Sequence, residues 1–303
     1  MPWTGFPGAR DASGSRVSRW KPSRVLRQRL ITAVLLILLV GVGAFVLSSA
    51  QVGLIFAAFV LAGAWEWSGL TDLGGCLGRI FYVMLVSLAL LGGWWLVQRR
   101  AGLMSVLIVS LVWWSAVAMA LTRYRPDARR DGRTRPGRAP ANALAGILTL
   151  VPAWAALVAL HHSGPDGPER LLYLLGLVWV ADSGAYFVGR HRGRVKLAPR
   201  LSPGKTREGL YGALIVSAAF AAAGAAAFGL SLREALVFIA LSLVAVLCSV
   251  VGDLFESMIK RRAGVKDSGS LLPGHGGVLD RVDSLSAAAP IFLLGLLWLK
   301  LAS

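Results

Sequence analysis

Apolar runs about as long as a bilayer is thick alternate with short polar connectors along nearly the whole chain. They lie at about 30–47, 52–70, 80–97, 102–121, 143–160, 171–188, 209–229, 234–252 and 285–302. A helix rises 1.5 Å per residue, so about 20 apolar residues cross a hydrocarbon core roughly 30 Å thick. The pattern predicts an all-α, polytopic integral membrane protein with about nine transmembrane helices. Glu66 and Asp182 fall inside it. A carboxylate at membrane depth is costly unless paired or wet, so a functional role is the default for Asp182, with a structural pairing to Arg190 as the alternative. Glu66 is balanced between function and structure.

The connectors divide the chain. Residues 1–29 are rich in Gly, Pro, Ser and Arg and read as a disordered basic arm. Residues 30–160 form an N-terminal transmembrane region of about five spans with a basic loop at 122–142, and 161–303 a C-terminal catalytic region of about four. Ser48-Ser49-Ala50 offers small residues at a cleavage position, but the leader would be unusually long, so the first span is expected to be retained.

Charge then sets orientation. The chain has 32 Lys and Arg against 15 Asp and Glu, a formal net charge of +17, although 56% of its residues are hydrophobic. With the N-terminus inside, 27 of the 32 basic residues fall in the arm or in inner connectors, including seven each at 122–142 and 189–208 and five at 253–284. The positive-inside rule therefore predicts a multi-pass protein of the inner membrane with a cytoplasmic N-terminus. Topology and anionic headgroups account for much of this charge. The separation of basic residues from the apolar runs excludes a nucleic-acid binder. Two cysteines, Cys76 and Cys248, are too few for a disulfide framework or a thiolate metal site.

Chemistry concentrates near the C-terminus. On a helix, Asp253, Glu256, Ser257 and Lys260 share one face, and Leu254, Phe255, Met258 and Ile259 another. Gly264 ends that helix, and the next stretch holds Lys266, Asp267, Pro273, Gly274, His275, Gly276, Gly277, Asp280, Arg281 and Asp283. The glycines at 274, 276 and 277 permit positive φ and let amides approach an anion. Asp253 and Asp280 offer hard oxygen ligands from two elements, which suits Mg²⁺, an ion that keeps water and substrate phosphate among its ligands. Carboxylates, lysines and glycines together suggest a phosphorylated substrate. Of the histidines, His275 is the site candidate; His161 and His162 read as surface residues on the far side, and His191 as loop filler.

These residues carry a resemblance. Ser257-Met-Ile-Lys260-Arg261, Lys266-Asp267-Ser-Gly269 and Leu272-Pro273-Gly-His275-Gly276-Gly277-Val-Leu-Asp280-Arg281-Val-Asp283 are similar to the signature of the phosphatidate cytidylyltransferases, or CDP-diacylglycerol synthases. Asp182-Ser-Gly-Ala185-Tyr186-Phe187-Val-Gly189-Arg190 and Leu201-Ser202-Pro203-Gly204-Lys205-Thr206-Arg207-Glu208-Gly209 resemble two further elements of that family, with Gly204 standing where a first lysine is usual. The likeness is best over 179–284; earlier spans agree mainly in hydropathy and in Glu66-Trp67.

The resemblance implies that CTP and phosphatidate give CDP-diacylglycerol and pyrophosphate in phospholipid synthesis, by attack of a phosphatidate phosphate oxygen on the α-phosphorus of CTP. It implies a cytoplasmic-side groove, membrane lipid as neighbour, a homodimer, and one or two divalent ions, Mg²⁺ foremost, with room for a monovalent one. Asp253, Asp280 and Asp283 are the expected metal ligands. Lys266, Asp280, Arg281 and His275 are the expected catalytic group. Ser202, Lys205, Lys260, Arg261, Gly276, Gly277 and Asp182 are expected to bind phosphate or substrate. Two other readings stay open: a CTP-dependent lipid kinase, and a transporter using Glu66 and Asp182 as relay sites. A CDP-alcohol phosphatidyltransferase lacks its aspartate run here.

Overall fold

A computed structural model describes residues 40–71, 73, 75–124, 139–269 and 276–299. The basic arm, most of the first predicted span, most of the 122–142 loop and His275 lie outside them. Residues 40–46 are helical. The chain from Leu47 onward forms a compact unit of its own.

Among the described residues of this unit, eight helices are long and apolar enough to cross a membrane. They are α1 (Ser49–Leu70), α2 (Gly75–Val97), α3 (Arg100–Thr122), α4 (Ala139–His161), α5 (Gly167–Arg192), α6 (Arg207–Ala227), α7 (Leu232–Arg262) and α8 (Leu279–Trp298). The chain is thus a multi-pass, predominantly helical membrane protein. Large apolar side chains such as Leu77, Phe81, Leu88, Ile215 and Leu236 are exposed on its outer surface, as a lipid-facing wall requires.

The structure departs from the sequence pattern in two places. A two-stranded antiparallel hairpin, β1 (Lys196–Ala198) and β2 (Ser202–Thr206), joins α5 to α6 where a basic loop was expected. Helix α7, by contrast, runs on past the apolar run to Arg262 with Gly264 at φ +75° beyond it, as expected of a helix that Gly264 ends, and its polar face is satisfied inside the protein. Helix α8 begins at Leu279 and not near 285, with Asp280 in the first turn, where a carboxylate suits the helix dipole.

Helix α4 is the axis of the unit, buried from Leu150 to Leu160 and packed against α1, α2, α3, α5 and α8. Its partners are fixed by donors that lipid could not satisfy: Trp154 Nε1 donates to Gly53 O at 2.8 Å, and Trp67 Nε1 to Asn142 O at 2.9 Å. Association in lipid depends on close backbone approach at small residues. Gly184 of α5 and Gly212 of α6 supply it, since a Cβ on either would collide with Val216 or Val188. His161, expected at the surface, is instead buried, with Nδ1 2.9 Å from Ser49 Oγ, because α1 closes over the end of α4; His162 is exposed.

Candidate active site

Two clusters of charge form where α5, α6, α7 and α8 present their polar ends. The first faces a cavity of about 470 Å³ lined by Asp182, Arg190, Ser202, Lys205 and Asp253, with Ala185, Leu210, Val246 and Val250 among its apolar walls. Lys205 forms an ion pair with Asp253. Asp182 lies within electrostatic reach of both. The local fold holds Lys205 in place. Thr206 caps α6 by accepting from Gly209 N at 3.1 Å, and Glu208 accepts the amides of Arg194 and Val195 at 3.0 and 3.2 Å, fastening the hairpin to the helix start.

The second cluster centres on Lys260, whose Nζ lies 2.5 Å from Asp280 Oδ1 and 3.2 Å from Glu256 Oε1. Asp280 Oδ2 accepts from the Ser268 amide and hydroxyl, both at 3.1 Å, and from the Gly277 amide at 3.0 Å. Glu66, from α1, accepts from Ser268 Oγ, Val278 N and Leu279 N, each at 3.0 Å, and so caps α8. Asp283 joins the clusters, within electrostatic reach of Asp253, Lys205 and Lys260. On the other side of α7, Phe255 is packed by Trp67, Trp113 and Trp114, with ring centroids 6.0, 5.7 and 5.8 Å away. That packing orients Asp253 and Glu256.

Comparison with known proteins places this arrangement. A family model described as the cytidylyltransferase family matches residues 27–298. The chain is 43% identical over 275 residues to the phosphatidate cytidylyltransferase of Pseudomonas aeruginosa, covering 90% of this chain and 97% of that protein. It is 37% identical over 285 residues to that of Haemophilus influenzae, covering 88% and 97%. To the phosphatidate cytidylyltransferase of Bacillus subtilis it is 44% identical over 161 residues, half of this chain and 58% of that one.

The chain belongs to the cytidylyltransferase family. Within this cytidylyltransferase, the structure brings Asp182, Ser202, Lys205 and Asp253 to one cavity, and Lys260, Gly277 and Asp280 to the adjoining network, with Asp283 between. Gly276 adopts φ +81°. The Gly277 amide, expected to face a phosphate, donates to Asp280 instead. Arg261 is exposed and donates to the carbonyls of Leu201 and Val265 at 3.4 and 3.5 Å, clamping the hairpin to the loop after α7. Lys266 and Arg281 are exposed.

Three members of the network were not singled out from the sequence as site residues: Glu66, Glu256 and Ser268. Glu66 carried the same signal as Asp182, an acid inside an apolar run. Glu256 shares the face of Asp253 and Lys260. Ser268 lies inside the Lys266-Asp267-Ser-Gly269 motif, which gave it no role of its own.

The donor set suits a divalent cation. Asp253 pairs with Lys205, Glu256 and Asp280 pair with Lys260, Asp182 lies within electrostatic reach of Lys205 and Asp283 of both lysines, and among the described residues Glu256 Oε2 receives no hydrogen bond. Hard carboxylate oxygens in excess over ammonium groups fit Mg²⁺. Among the described residues no three His, Cys, Asp or Glu side chains gather at ligand spacing. Mg²⁺ needs only one or two carboxylates when water and substrate complete its shell.

Proposed function

We infer that this chain is a phosphatidate cytidylyltransferase, converting CTP and phosphatidate to CDP-diacylglycerol and pyrophosphate. The observation that carries the reading is the junction of a lysine- and carboxylate-lined cavity, walled partly by apolar residues, with the Lys260–Asp280 network. An apolar wall open between helices suits a lipid whose phosphate must reach a charged centre.

In this reading, a phosphatidate phosphate oxygen attacks the α-phosphorus of CTP. The new P–O bond forms as the bond to the β-phosphate bridging oxygen breaks, and pyrophosphate departs with that electron pair. The attacking phosphate is already ionised near neutral pH, so no strong general base is needed. Both reactants are polyanions, and catalysis of such transfers is mostly alignment and charge neutralisation. Lys205 and Ser202 hold the lipid phosphate beside Asp182. Lys260, steadied by Glu256 and Asp280, meets the triphosphate. One or two of Asp253, Asp280 and Asp283 would hold Mg²⁺, with water and substrate completing its shell, and the ion when bound would neutralise charge on the phosphate oxygens. The positive-inside pattern supports placing this centre on the cytoplasmic face of the inner membrane, where CTP is available.

The test supplies cytidine-labelled CTP and phosphatidate to the purified chain in vesicles, with and without chelator. Label entering lipid, with release of pyrophosphate, is the expected result. A lipid kinase would leave the label in water, and a transporter would release no pyrophosphate.

A further inference from the structure

A second cavity, of about 410 Å³, lies outside the first, lined by Trp65, Glu66, Arg79, Asp267 and Ser268 among others. That volume is within the range of roughly 300–1,000 Å³ usual for small-molecule sites. Arg79 and Asp267 face it with opposite charges, yet no ion pair forms between them, and among the described residues neither has another ion-pair partner. The Arg79 guanidinium lies 5.6 Å from the Trp65 ring centroid. It passes over Gly69, where a side chain would crowd it. Glu66 does not compete for Arg79, because both of its oxygens accept hydrogen bonds from Ser268, Val278 and Leu279.

Two opposite charges with no ion-pair partner among the described residues, set across a cavity with an aromatic wall, fit a planar heterocycle that has acceptors on one edge and a donor on another. Cytosine is such a ring: O2 and N3 accept, and the 4-amino group donates. Aspartate accepts well from that amino group, and arginine donates to ring acceptors. Uracil turns an oxygen toward Asp267 and an N–H toward Arg79, mismatching both. Aromatic side chains stack on bases. The cavity also touches the reacting centre, because Ser268 lines it while donating its amide to Asp280. A nucleotide base seated here leads its sugar and phosphates toward Asp280 and Lys260.

We propose that this cavity is the cytosine subsite, in which Asp267 and Arg79 read the base edge beside Trp65 and so select CTP over UTP. This rests on the cytidylyltransferase reading above and adds where the base binds. The test measures kcat/KM for CTP and for UTP with the full chain in vesicles, for wild type, Asp267→Asn and Arg79→Gln. In Asp267→Asn the CTP-to-UTP preference should fall about tenfold or more, since an amide can donate to the uracil oxygen, while the KM for phosphatidate holds. Arg79→Gln should raise the KM for CTP. A preference unchanged in both variants overturns the proposal. Titrating the wild-type chain with cytidine and uridine monophosphates needs no variant: tighter binding of the cytidine nucleotide is required, and equal affinity overturns the subsite. Wild type that puts no cytidine into lipid would instead defeat the reading of the whole enzyme, and the titration would still judge the cavity.

Discussion

Lys260 Nζ sits 2.5 Å from Asp280 Oδ1, so an ammonium group near the end of α7 is tied to a carboxylate in the first turn of α8. Both side chains are largely buried, at 12% and 15% exposure. The pair joins the two helices and supplies a positive charge that a polyphosphate can meet without first drawing it out of water.

Removing that charge should disable the enzyme. In Lys260→Met, Asp280 and Glu256 lose their shared counter-charge, and breaking such a buried pair costs on the order of 3–5 kcal/mol. Turnover should fall by about a thousandfold, the scale of losing one preorganised electrostatic contact. Lys260→Arg keeps the charge but not the compact ammonium geometry, so it should recover stability more than rate. Thermal unfolding in detergent, run beside the turnover assay, separates the two effects.

Asp280→Asn tests the metal reading. The amide retains one acceptor for Ser268 and Gly277 but loses the charge, so turnover should drop by orders of magnitude while the helices still insert. Chelation of the wild-type protein should abolish activity, with recovery on adding Mg²⁺. Calorimetric titration of Mg²⁺ should show weaker binding in the variant. Full activity of Asp280→Asn would exclude the assignment.

Lys205 and Asp253 should prove coupled. Single replacements, Lys205→Met and Asp253→Asn, each leave a charge facing Asp182 and Asp283 with altered compensation. A double-mutant cycle on thermal stability should return an interaction of about 0.5–3 kcal/mol, the range for groups in direct contact. Additive effects would mean that the pair is not formed in the membrane.

Glu66→Ala should act chiefly through the start of α8, although Glu66 also lines the second cavity. It strips the acceptor from two backbone amides at the start of α8, at a cost of roughly 1–3 kcal/mol for each buried donor left unsatisfied. Ser268 would lose one of its two carboxylate partners, and Asp280 its fixed orientation. Turnover should fall more than substrate affinity, and Glu66→Gln should restore part of both stability and rate, as kinetic measurement at saturating substrate can show.

Phe255→Ala should weaken the junction between α7 and the N-terminal helices by about 3–5 kcal/mol, because a buried ring enclosed by three indoles leaves a cavity. A lowered unfolding temperature with unchanged CTP specificity is the expected outcome.

The membrane-spanning helices were legible because lipid imposes a strong, local constraint on composition, and a run such as 143–160 announces itself. The clustering of the carboxylates was legible because Asp253 and Lys260 share a helix face and Asp280 follows a glycine cluster. The role of Glu66 was not: its donors lie more than two hundred residues away, and no local spacing encodes a partner at that separation. The hairpin was hidden for another reason. Lys196–Ala198 and Ser202–Thr206 are short, without alternating apolar residues, and Glu208 and Thr206 fix them through backbone hydrogen bonds that only the assembled turn provides. The end of α7 was legible because Gly264 breaks the helix, and the polar face that could have been a solvated stripe turns Asp253, Glu256 and Lys260 toward the protein's own charged centre.

The cap that Glu66 places on α8 also orders events during synthesis. Its acceptor oxygens leave the ribosome 212 residues before Val278, the first amide they will bind. Throughout that interval a nascent chain holds an acid at the end of a finished span with no donors to receive it, and only threading of the last span resolves this. A product truncated before Val278 therefore leaves the Glu66 carboxylate without the two backbone donors that hold it in the finished protein.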